Sequence, residues 1–124
     1  MNLAHLPLLL MTLMLVACEG GRDPSQPGLR MDGNPAHGKQ LISQYTCGAC
    51  HVIPGIHGAD GLVGPPLTMF GRRAYIGGEL PNTPANLQRW LLDPPAVEPG
   101  TAMPRLGLSR AEARDVAAYL STLR

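Results

Sequence analysis

With 124 residues and ten Lys and Arg set against nine Asp and Glu, the chain has room for one domain and little else. Near-neutral charge with a single lysine leaves no case for nucleic acid as a partner. The three cysteines are an odd number, so a scheme of paired disulfides cannot account for all of them.

The first segment, "MNLAHLPLLLMTLMLVAC", holds an apolar run from Leu8 to Ala17 relieved only by Thr12. That is the length of an export-signal core and falls short of the roughly 20 residues needed to span a bilayer. Residues 1–17 are therefore expected to be a signal peptide. "LVAC" resembles the lipobox of bacterial lipoproteins, which implies cleavage before Cys18 and its lipidation, although no Lys or Arg precedes the apolar run. An ordinary secretory signal cut at another small residue, giving a soluble periplasmic protein, is the alternative. Residues 18–33, rich in Gly, Pro and polar side chains, form an expected flexible linker. A chain of about 15 such residues has an r.m.s. span of about 20 Å, enough to let a tethered domain move above a membrane.

The domain is expected over residues 34–124, with three main helices. In "NPAHGKQLISQYTC" Asn34 suits the N-cap, Pro35 the first helical position, and Leu41, Ile42 and Tyr45 share a side. In "TPANLQRWLLDPP" Thr83 caps, Pro84 opens, and Leu87, Trp90 and Leu91 recur at helical spacing until Pro94 and Pro95 end the run. In "SRAEARDVAAYLSTLR" Ser109 and Glu112 form a capping box ahead of Ala113, Val116, Ala117, Leu120 and Leu123, with Tyr119 beside that stripe. The intervening "GADGLVGPPL" and "PPAVEPGTAMPRLG" cannot be central strands, because proline lacks the ladder donor. Such a small all-α domain has too little core of its own and needs a staple, a metal or a cofactor.

The chemistry sits in "QYTCGACHVIP", where Cys47 and Cys50 lie three apart and His51 follows. A thioredoxin-like redox pair requires a preceding strand, and here a helix precedes it. A structural zinc site requires four ligands; His37 and His57 have no partners at ligand spacing. Haem attachment remains. Two nearby thiols add across the two vinyl groups of one porphyrin, and the adjacent histidine is carried beneath the ring to the iron.

Over most of residues 33–124 the chain resembles the class I c-type cytochromes: "CGACH" is similar to their haem motif, "GPPL" at 64–67 to their proximal stretch and "TAMP" at 101–104 to their distal loop. The resemblance implies one covalent haem c on Cys47 and Cys50 with His51 and Met103 as axial ligands. It also implies that the Pro65 carbonyl accepts the His51 Nδ1–H. It further suggests a close crossing of the first and last helices at Gly38, against Tyr119, with Gly38 one residue further from Cys47 than is usual. Met69 is expected in the core, as methionine usually is. His37 and His57 are expected in solvent. Trp90 is a core residue by default and a candidate for a haem propionate. Arg72, Arg73 and Arg105 are ordinarily solvated charges, with Arg105 the best candidate for offsetting a propionate or meeting an acidic partner.

The expected function is that of a monomeric electron-transfer protein rather than an enzyme: a one-electron carrier cycling between Fe(II) and Fe(III). It would be tethered by lipid on the periplasmic side of a bacterial membrane. Its partners, as classes, are a terminal oxidase, a quinol-oxidising complex and a periplasmic dehydrogenase. Two alternatives stay open: a fixed haem c subunit of a larger complex, and a ligand-binding or peroxidase-like haem site.

Overall fold

A computed structural model of the chain describes residues 32–124. The expected signal peptide, Cys18 and most of the linker lie outside the described residues. The described part is all-α apart from one short hairpin. Helix α1 spans Pro35–Gln44, α2 Pro84–Leu92, α3 Pro94–Val97 and α4 Arg110–Thr122, with 3-10 turns at Cys47–Ala49 and Phe70–Arg72. Strands β1 (Tyr75–Ile76) and β2 (Leu80–Pro81) pair antiparallel. Among the described residues no helix is long and apolar enough to cross a membrane.

Local chemistry sets the helix starts. The Asn34 side chain accepts from the N–H groups of Ala36 and His37, that of Thr83 from Asn86, and Ser109 and Glu112 close their capping box. These caps satisfy N–H groups that have no partner within the helix. Pro94 ends α2 but also opens α3. Asp93, the C-cap of α2, turns its carboxylate to the Ala96 N–H and becomes the N-cap of the next helix, with proline in the N1 position it tolerates. From the sequence alone that proline pair is expected only as a stop.

The frame is the crossing of α1 on α4. Gly38 lies at the contact, but its neighbour is the main chain of Asp115 and Val116 rather than Tyr119. A Cβ at Gly38 would come within 2.5 Å of the Asp115 carbonyl carbon, so backbone meets backbone there. Tyr119 instead donates its hydroxyl to the Pro54 carbonyl at 2.7 Å and anchors the loop that follows the cysteine motif. His37 is exposed, as expected, and also makes an ion-pair contact. Its Nδ1 pairs with Asp115 Oδ2 at 2.7 Å, while the Asn34 N–H donates to Asp115 Oδ1 at 2.7 Å. These hydrogen bonds, that from His37 first, hold the Asp115 carboxyl below its ordinary value.

Leu41 and Ile42 of α1, Leu87, Trp90 and Leu91 of α2, and Ala113, Val116, Ala117 and Leu120 of α4 form the core with Ile53, Phe70 and Ile76. Met69 is not part of it: the side chain is 54% exposed, on a residue at φ 54°. That left-handed turn swings Met69 outward while the next residue, Phe70, goes in.

Candidate haem site

Beyond Gln44 the chain leaves α1 through Tyr45 and Thr46, the latter in the left-handed region at φ 52°. It then winds tightly through Cys47–Ala49. The N–H groups of Cys50 and His51 both donate to the Cys47 carbonyl, at 3.2 and 3.1 Å. The Gly- and Pro-rich loop folds back over this turn: Gly61 N–H donates to Gly48, Gly64 to Cys50 and Leu67 to Val52. Glycine is required at one of these approaches. A Cβ on Gly64 would lie 2.6 Å from His51 Nδ1 and 2.9 Å from Nε2, so only a bare backbone can lie against the imidazole.

That approach places the Pro65 carbonyl 2.8 Å from His51 Nδ1. A carbonyl can only accept, so Nδ1 carries a proton, and in the neutral imidazole Nε2 then holds the free lone pair. The two thiols are not joined to each other, and burial pushes the Cys47 thiol up from its ordinary value. Among the described residues no three His, Cys, Asp or Glu side chains converge as a metal-ligand set, which leaves the zinc reading without its ligands.

Cys47, Cys50, His51, Pro65, Trp90 and Met103 all line one cavity of about 620 Å³, together with Ile42, Ile53, Phe70, Leu87, Val116 and Leu120 of the core. Core residues on several elements thus surround room for a large, mostly apolar group, and two thiols with a proton-fixed imidazole fit a haem.

The Trp90 indole does not stand free for a propionate. Its N–H donates to Met103 Sδ at 3.2 Å. Met103 is further held by its N–H, which donates to Thr101 Oγ1 at 3.2 Å. Arg105 lies outside the cavity lining, and its guanidinium pairs with Asp93. Arg73 takes the cavity position instead. It donates to the carbonyls of Pro66 and Thr68 and lies 5.5 Å from the centroid of the Phe70 ring. Arg72 and His57 are exposed.

The sequence reading missed the β1–β2 hairpin, whose Tyr75, Ile76, Gly77 and Gly78 also line the cavity. Gly77 and Gly78 both have positive φ, and a Cβ on Gly77 would meet the Trp90 ring at 2.8 Å. The Gly-Gly dipeptide after "YI" is the signal that could have found it.

Comparison with known proteins agrees with this chemistry. Residues 35–124 match the family model described as Cytochrome c. Over 88 residues, 70% of the chain, the sequence is 34% identical to cytochrome c oxidase subunit 2 of Alkalihalophilus pseudofirmus. The matched part is only 25% of that relative's length. Thiols, imidazole and an apolar cavity of suitable size thus meet in a segment that the family model covers almost from end to end, and the chain belongs to the cytochrome c family, with haem as its implied cofactor.

Proposed function

We propose that the domain is a one-electron carrier in which Cys47 and Cys50 hold one haem through thioether bonds while His51 Nε2 and Met103 Sδ take the two axial positions. The observation that carries this reading is the shared cavity, in which His51 has its proton fixed on Nδ1 by Pro65 and Met103 is held by Trp90. Bound there, haem supplies an Fe(II)/Fe(III) couple, and thioether ligation raises its potential. The protein's own contribution is to orient. The Pro65 carbonyl fixes the tautomer and rotation of the imidazole, as partners of metal-bound histidines commonly do. Gly64 shields one side of that ring, the apolar lining excludes water, and Trp90 directs one lone pair of the Met103 sulfur.

The test is the visible spectrum of the ferrous protein before and after carbon monoxide, with Met103→Ala as the control. The expected result is an unchanged spectrum for the parent and a prompt shift for M103A. A prompt shift in the parent would overturn the axial assignment and favour a ligand-binding or peroxidase-like site.

The donor and acceptor are proposed as a quinol-oxidising complex or periplasmic dehydrogenase and a terminal oxidase. The relative named as an oxidase subunit supports the oxidase side and favours a second reading, a fixed haem c subunit of such a complex. Gel filtration of detergent-solubilised membranes separates the two: a carrier elutes alone, and a subunit elutes with the oxidase. The "LVAC" sequence supports a lipid tether on Cys18 on the periplasmic side of a bacterial membrane. Metabolic labelling with a fatty acid, lost in Cys18→Ser, is the corresponding test.

A further inference from the structure

The segment that carries Met103 is weakly held by its main chain. Among the described residues, no backbone group from Ala102 to Leu108 forms a hydrogen bond with another backbone group. Leu108 is buried and Leu106 half-buried, which fixes the downstream end by packing. Upstream, Met103 bonds through its N–H to Thr101, a residue of the same loop. Its thioether receives the Trp90 N–H. Only one polar side-chain bond joins this described loop to the rest of the domain without using the sulfur: Arg105 to Asp93.

Asp93 is a firm anchor. Its N–H donates to the Arg89 carbonyl at 3.2 Å and closes α2, while its Oδ1 accepts from the Ala96 N–H at 3.3 Å and opens α3. The remaining oxygen, Oδ2, meets the Arg105 guanidinium. One carboxylate thus ties the junction of two helices to the chain two residues beyond Met103.

We propose that Asp93 and Arg105 form an electrostatic latch on the distal loop, positioning Met103 and slowing its departure from the sixth axial site. Arg105 acts through Met103 and is a positioning residue. Its side chain is 65% exposed and that of Asp93 29%, so the pair has the modest strength of a surface ion pair and is open to screening by salt. The latch makes the persistence of the sixth ligand depend on ionic strength, although neither charge lies in the cavity lining. This inference rests on Met103 being the axial ligand.

The test uses the haem-loaded ferric protein and imidazole, which competes for the sixth site when the thioether leaves. At low ionic strength Arg105→Gln is expected to bind imidazole about two- to fivefold faster than the parent. Arg105→Lys restores most of the slow rate. In about 1 M salt, where the screening length falls to about 3 Å, the difference disappears. Asp93→Asn keeps an N-capping side chain and matches R105Q, and the double variant is no faster than either. An R105Q rate equal to the parent's at low salt overturns the latch. So does an acceleration that persists undiminished in high salt, which assigns the effect to packing of the arginine stem. If the parent already binds imidazole as fast as M103A, the axial assignment itself is wrong. A parent slower than M103A together with an unchanged R105Q condemns the latch alone.

Discussion

Replacing Gly38 by Ala tests the crossing that holds the two ends of the domain together. The added Cβ would sit 2.5 Å from the Asp115 carbonyl carbon and closer still to its oxygen, and ordinary contact begins at 3.4 Å, so α1 and α4 must part by at least about 0.9 Å or deform. A gap of 0.5–1 Å forfeits about a quarter to a half of the dispersion well for each atom pair facing it. The atoms affected include Leu41 and Ile42 on one side and Ala113, Val116 and Ala117 on the other. Overpacking of this kind costs about 1–3 kcal/mol. Weakening of the Asn34 and His37 bonds to Asp115 adds about 1 kcal/mol. The better helix propensity of alanine returns about 1 kcal/mol. Close backbone contact wins, because the neighbour is main chain and has no rotamer to yield. The net expectation is a loss of about 1–3 kcal/mol, or a fall in Tm of about 4–24 °C for a domain of this size. Thermal unfolding of haem-loaded G38A against the parent reads it directly. A Tm equal to or above the parent's would mean that helix propensity outweighs the crossing, and the account of Gly38 would be wrong.

Three further outcomes are expected. Trp90→Phe removes the N–H donated to the Met103 sulfur. With Met103 as the proposed iron ligand, that bond would favour the more electron-rich sulfur on Fe(II), so losing a differential of about 0.5–1 kcal/mol should lower the one-electron potential by about 20–40 mV; a potentiometric titration showing no fall refutes the role. The Cys47→Ala, Cys50→Ala double variant should lack covalent haem on a denaturing gel stained for haem. Because the core surrounds the cavity, it should also lack a cooperative thermal transition by circular dichroism; a cooperative haem-free fold would contradict the cavity argument. Asp115→Asn should flatten the acid limb of stability. The folded carboxyl is held below its ordinary value of 3.8, so its contribution is present above about pH 4 and is lost as pH falls through the folded pKa. Urea unfolding from pH 6 to 2 should show the parent losing its advantage over D115N in that acid range, and a constant difference would disprove the assignment.

The helices were legible because their signals are local. Asn34 with Pro35, Thr83 with Pro84, and Ser109 with Glu112 satisfy N–H groups within three residues of themselves. Capping needs no knowledge of the rest of the fold. The adjacency of Cys47, Cys50 and His51 is local in the same way, since a single tight turn brings all three to the cavity. The need for a filling group could likewise be read from the small apolar inventory and the prolines of the connecting loops.

What the sequence left undecided were partners distant along the chain. Gly38 is recognisable as a site of close approach, but whether it meets Tyr119 or Asp115 depends on the rotation and offset of α4, which a helical stripe does not specify. His37 is exposed as its sequence context suggests, but only the crossing delivers Asp115 to it. Arg73 and Arg105 are chemically alike; only the paths of the two loops send one to the cavity and the other to Asp93. Met69 has the composition of a core residue, and one left-handed turn puts it outside. Hydrogen-bonding groups and backbone preferences are properties of short segments, so sequence determined the helix starts and the thiol–imidazole motif. Which side chains face one another across the cavity is a property of how those segments pack, and the tertiary structure alone decided it.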